Sequence, residues 1–171
     1  MKSLKVLFLF LCICFLNSYA QDNVLYDEIQ QAKSSGKKFE AVSAFTLASK
    51  STTQSKRSQE NFTNPQEVYF LHYNNSTAKN LNASMTLLIP FDKRNLQLEL
   101  QEFKMEYQVT TSDGQKIQQN KNIRNYHGIV KDDPHSIVAM TFGEDEIIGM
   151  VSTDEGNFNL VLDRQSGERL I

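Results

Sequence analysis

The chain has 171 residues with 18 basic and 20 acidic side chains, a net charge of −2. No basic run or patch stands out of that balance, which argues against a nucleic-acid partner. Both cysteines, Cys12 and Cys14, lie in an apolar N-terminal run, so the remainder can form no disulfide and offers no thiolate to a metal or substrate.

Lys2 and Lys5 precede the unbroken apolar run Val6–Leu16, and Ser18-Tyr19-Ala20 puts small residues at the two positions a signal peptidase reads. This order predicts a secretory signal peptide over residues 1–20, cut between Ala20 and Gln21. The run is short of the about 20 apolar residues of a spanning helix, so an uncleaved anchor fits less well. Leu11 before Cys12 and Ile13 before Cys14 do not suit a lipoprotein signal. Cleavage leaves 171 − 20 = 151 residues with 18 − 2 = 16 basic and 20 acidic side chains, a net of −4. That is one domain of ordinary size, expected to be secreted or periplasmic and free of the membrane after cleavage.

Residues 21–65 read as a helical arm and a polar linker. Leu25, Ile29 and Ala32 keep helical spacing until Ser34-Ser35-Gly36 interrupts, and Phe39, Val42, Phe45 and Leu47 fit a second short helix or a strand equally well. Ser51–Pro65 is rich in Ser, Thr, Gln and Asn, as an exposed linker is. From residue 66 to 171 the pattern is β. Strands are expected at Val68–Tyr73, at Ser84–Ile89 closed by Pro90, at the strictly alternating Leu96–Leu100, and at Met105–Thr110 before a Ser112-Asp113-Gly114 turn. Asn125–Val130, Ser136–Phe142, Glu146–Ser152 and Asn157–Leu162, separated by turn residues, predict a β-meander. Ile137, Val138, Ala139, Ile147, Ile148, Met150 and Val151 are expected near its core, and Gly149 suggests a bulge or a close backbone approach. Arg169–Ile171 has the character of a further strand, and a chain stopping there has the character of a fragment. The expected class is mainly β: an antiparallel β-sandwich or partly open barrel with a C-terminal meander and a short N-terminal helical arm.

No catalytic constellation emerges. His72, His127 and His135 lack a Glu-x-x-His partner at helical spacing. Asp132, Asp133 and His135 supply at most part of a cation site, where zinc needs three or four converging ligands, so a solvated turn is the better reading. His127, beside Tyr126 in an apolar strand, reads as a satisfied strand histidine. Ser136 follows His135 directly, but strand neighbours point to opposite faces, and no Gly-x-Ser-x-Gly elbow is present. The pairs Glu99/Glu102 and Glu144/Glu146 read as exposed charges. Sequons at Asn61, Asn74, Asn75 and Asn82 are what an Asn-rich chain produces by chance. The aromatic stretch Tyr69–Tyr73 can serve either as core or as a recognition face.

Tyr126-His127-Gly128-Ile129-Val130, Asp133-Pro134-His135-Ser136-Ile137-Val138-Ala139-Met140, Ile147-Ile148-Gly149-Met150-Val151 and Gly156-Asn157-Phe158-Asn159-Leu160 follow one another in a distinctive order. Together they resemble the prodomain of reprolysin-type (adamalysin-like) zinc metalloproteases, with Tyr126, Gly128, Pro134, Ser136, Gly149 and Gly156 as its landmarks. The likeness covers about residues 96–162, and the composition is similar to that of exported proteins of Bacteroidota-like bacteria. The resemblance implies a propeptide that keeps its own downstream peptidase domain latent or helps it fold. Zinc is then expected only in that domain, and neither metal, cofactor nor catalysis in this segment. Animal members commonly cap the zinc with a prodomain cysteine. The mature part here has none, so latency would rest on occlusion or another ligand, with Asp132, Asp133 and His135 as candidates. The alternative reading is a stand-alone secreted β module that binds a protein or glycan, and a remote third is an enzyme using His127 or His135.

Overall fold

The computed structural model describes residues 23–48, 69–74, 81–91, 94–104, 109–110, 112–114, 116–117, 122–143, 147–162 and 169–171. Helix α1 spans Val24–Ser34. The Asn23 side chain caps it by accepting from the Leu25 amide at 3.1 Å. Gly36, at φ +89°, ends it where the Gly36 and Lys37 amides turn back to the Lys33 and Ala32 carbonyls. The apolar spacing seen in the sequence buries Ile29 and Ala32.

The second apolar set resolves as two short strands, β1 (Glu40–Val42) and β2 (Phe45–Leu47). Then come β3 (Phe70–Tyr73), β4 (Ser84–Phe91), β5 (Arg94–Phe103), β6 (Val109–Thr110), β7 (Lys116–Ile117), β8 (Arg124–Val130), β9 (Ile137–Phe142), β10 (Ile147–Thr153), β11 (Gly156–Leu162) and β12 (Arg169–Leu170). The main sheet runs β1-β4-β5-β8-β9-β10-β11 and continues through β12, β3 and β2, while β6 and β7 form a separate hairpin around the expected Asp113-Gly114 turn. Every pairing is antiparallel except β1 with β4. Its end strands β1 and β2 are consecutive in the chain, joined only by Ser43 and Ala44. Phe45 and Leu71 from one end share a core with Met85, Leu87, Leu98 and Leu100 from the other. The expected class stands: mainly β and antiparallel, in a sandwich-like, partly open arrangement with a short N-terminal helix and a C-terminal meander.

Two details correct the sequence reading. Pro90 does not close β4, which continues to Phe91 opposite Arg94. β1 reaches only as far as Leu87, so among the described residues one edge of β4 has no strand partner at Pro90, where a missing N–H breaks no ladder bond. Nor is Gly149 a bulge: its register with Met140 and Leu160 is unbroken. It makes room for a side chain instead, because a Cβ there would fall 2.1 Å from Met140 Sδ.

Candidate functional site

The meander places its apolar residues on two faces. Val138, Met140, Phe142, Ile147 and Val151 are buried, but Ile137 is 45%, Ile148 51% and Met150 45% exposed. Ala139 is exposed as well. The expectation that Ile137, Ala139, Ile148 and Met150 lie near the core is therefore wrong. Strand side chains alternate, so only every second residue of an all-apolar strand reaches the interior. The other half forms an outward surface. Across it, His127 stands opposite Ala139, Ala139 opposite Met150, and Met150 opposite Asn159. Neighbouring rows place Thr141 opposite Ile148, and Ile137 opposite Ser152, which is opposite Asn157. Lys, Arg, Asp and Glu are absent from these rows of β9, β10 and β11.

Helix α1 covers the adjoining strands β5 and β8 on the same outward side. Lys33 Nζ lies 2.6 Å from Glu99 Oε2, and the Glu99 side chain is only 4% exposed. Glu28 Oε1 receives Gln101 Nε2 at 3.3 Å and meets His127 Nε2 at 3.1 Å. The His127 ring stacks on Phe103 with centroids 4.8 Å apart. Asn23 Nδ2 donates to the carbonyls of Pro134 and Ser136, at 2.9 and 2.8 Å. The helix N-terminus is thus tied to the β8–β9 turn at one end of the apolar face.

His127 is the satisfied strand histidine the sequence predicts. His135 is exposed on the turn, where its amide donates to Asp133 Oδ1 at 3.0 Å. Asp132 holds φ +64° in the same turn. Ser136 is fully buried; its Oγ accepts from the Val130 amide and donates to the Asp133 carbonyl, both at 2.8 Å. That hydroxyl locks the turn and faces no base. His72 is exposed on β3, far in pairing order from both other histidines. Among the described residues no group of three His, Cys, Asp or Glu side chains is placed to hold a metal ion. No helix among them is long and apolar enough to cross a membrane.

Glu99 and Glu102 are not exposed charges, contrary to the sequence reading. Glu99 is buried under α1, and the half-buried Glu102 accepts from Arg124 Nε at 2.8 Å and Nη2 at 2.6 Å. The hydrogen bond from Arg124 holds the Glu102 carboxyl below its ordinary pKa. Arg124 Nη1 also donates to the Leu81 carbonyl. Tyr126, wholly buried beside it, donates to the Asn82 carbonyl at 3.1 Å, and burial pushes its phenol above the ordinary range. An open groove of about 510 Å³ lies next to this cluster, lined by Lys37, Lys38, Glu40, Asn82, Gln101 and Glu102 among others. It mixes both signs of charge.

The remaining sequence candidates scatter. Asn74 and Asn82 are exposed, while Asn61, Asn75, Glu144, Glu146, Ala20 and Gln21 lie outside the described residues. Of the aromatic stretch, Phe70 and Leu71 are core, and Tyr69 and Tyr73 ring-pack on Phe91 and Phe45 at 4.9 and 5.4 Å. The landmark residues of the resemblance do come together, in the block β8–β11. Tyr126 fills the core, Gly128 lets β5 approach, Ser136 locks the turn beside Pro134, and Gly156 takes φ +147° in the next turn. Comparison with protein-family models, with curated proteins and with solved structures found no match.

Proposed function

We propose that this chain is the N-terminal propeptide of a secreted zinc metallopeptidase of the reprolysin type, keeping a downstream catalytic domain latent or assisting its folding. The observation that carries the reading is the joint placement of the landmark residues. Tyr126, Gly128, Pro134, Ser136, Gly149 and Gly156 fall in one continuous four-strand block, and all but the exposed Pro134 meet a backbone or packing demand there. A motif made of such residues specifies a fold and carries no catalytic signature. Zinc belongs, on this reading, to the downstream domain. Occlusion of its cleft is the mode of latency on this reading, since no cysteine follows Cys14 to cap a zinc ion and the Asp133 carboxylate already accepts from the His135 backbone amide.

The stand-alone binding module is the weaker reading, because its recognition strand Tyr69–Tyr73 is engaged in packing. The test is to sequence the coding region past Ile171 and then secrete the whole precursor. A frame continuing into a His-Glu-x-x-His-x-x-Gly-x-x-His helix, with peptidase activity that appears only after proteolytic removal of residues 21–171, is the expected result. A stop codon directly after Ile171, or a precursor as active as its cleaved product, sinks the proposal.

A further inference from the structure

We propose that the outward face of β9 and β10, centred on Ile137, Ala139, Ile148 and Met150, is the surface on which the domain following Ile171 docks; this rests on the propeptide reading above. A folded domain gains by burying apolar surface, and the largest apolar patch it leaves open, commonly a few hundred Å², is often functional. Here four apolar side chains stand side by side with no ionised residue among them, next to a stretch of the same sheet that α1 already covers.

Three features select the occupant. The first is position. β12 pairs with β11, which pairs with β10, and Ile171 is held by amide–carbonyl bonds to Tyr69 at 2.8 and 3.0 Å. Chain continuing past Ile171 therefore starts within two strand spacings of β10, about 10 Å. The second is size. The four side chains expose on the order of 300 Å², well under the about 800 Å² per partner of a stable free complex. A small face suffices for a domain on the same chain, whose effective concentration is in the millimolar range. The third is charge. The β8–β9 and β10–β11 turns meet at one end of the face and carry Asp132, Asp133, Asp154 and Glu155 against Lys131 and against Arg94, whose Nη2 lies 3.8 Å from Glu155 Oε2. An acidic rim disfavours an anionic lipid surface or a second copy stacked rim to rim, and fits an apolar protein surface edged by Lys or Arg.

The test uses the full precursor with single cysteines introduced on this otherwise cysteine-free segment: Met150→Cys on the face, and Leu47→Cys, an exposed apolar position on β2 outside it. Maleimide labelling is mapped by peptide. In the latent precursor Met150→Cys is expected to label at least about tenfold more slowly than Leu47→Cys, and to reach the same rate once the propeptide has been cleaved and released. Ile148→Lys is expected to raise the activity of the uncleaved precursor severalfold; Ile148→Thr, which keeps strand propensity, is expected to do so more mildly. Equal labelling of both positions in a precursor that is nevertheless latent overturns the docking face and leaves the propeptide reading standing. A precursor without latency overturns both. Protection of position 150 that disappears on dilution means a second copy covers the face, and protection that needs added phosphatidylglycerol vesicles means lipid does; either result overturns the proposal.

Discussion

A single methyl group at position 128 should damage this fold far more than the same group at position 149. A Cβ built on Gly128 falls 1.9 Å from the Glu99 carbonyl oxygen, 2.9 Å from its carbon and 3.1 Å from Leu100 Cα. All three are backbone atoms of β5, which pairs with β8 from Leu98 to Phe103. Restoring an ordinary contact of 3.4 Å requires the strands to part by 3.4 − 1.9 = 1.5 Å at that point. A hydrogen bond of about 2.9 Å does not survive such an opening. Losing two buried backbone pairs at about 1–3 kcal/mol each gives a cost of about 4 kcal/mol, a large share of the roughly 5–15 kcal/mol that holds a domain folded. At Gly149 the obstacle is the thioether of Met140, at 2.1 Å from Sδ and 2.9 Å from Cε. A flexible side chain can swing aside, for about 1–2 kcal/mol. Equilibrium urea unfolding of residues 21–171, comparing Gly128→Ala and Gly149→Ala with the parent, measures both. A Gly128→Ala cost below about 1 kcal/mol, or one smaller than that of Gly149→Ala, would refute the reasoning.

Ser136→Ala removes the partner of the buried Val130 amide and should cost about 1–3 kcal/mol in the same assay, with Ser136→Thr no substitute because its methyl has no room in a fully buried site. Lys33→Ala leaves the Glu99 carboxylate buried without its ammonium and should cost about 2 kcal/mol, below the usual figure for a buried pair because the Lys33 side chain is one-third exposed. Adding Glu99→Gln to that variant should recover part of the loss, seen as an upward shift in the urea midpoint. Glu102 has its pKa lowered on folding, so its contribution is present above the unfolded value of 4.5 and disappears as the pH falls through the lower folded value. The urea midpoint of the parent should therefore drop more steeply below about pH 4.5 than that of Glu102→Gln, and parallel curves would count against the Arg124 pair as the cause.

The sequence exposes those features of the fold that depend on local pattern. The α1 boundaries follow from Leu25, Ile29 and Ala32 and the Ser34-Ser35-Gly36 stop, and the meander from its turn residues. What stayed hidden depends on contacts between distant residues. Glu99 looks like the polar half of an alternating strand, and only the docking of α1, which brings Lys33 to it across 66 positions, makes it a buried ion. Asn23 caps α1, and its amide nitrogen also reaches Pro134 and Ser136, contacts over more than a hundred positions. Nothing local distinguishes Ile137 and Ile148 from Val138 and Ile147. An apolar strand does not reveal from composition which of its faces another element covers, so the candidate surface became visible only through register and exposure.

The placement of β12 has a consequence for how the protein matures. β3 obtains its second neighbour only from Arg169 and Leu170, nearly a hundred residues further along, and β2 is attached to the sheet through β3. A chain synthesised from its N-terminus delivers β1, β2 and β3 first, yet they must wait for the last strand before the sheet can be completed around them. Pairings this far apart in sequence are slow to form because the intervening chain has to be ordered before they return any stabilisation. The early segment therefore stays unassembled until then, and completion of the sheet is timed by the arrival of residues 169–171.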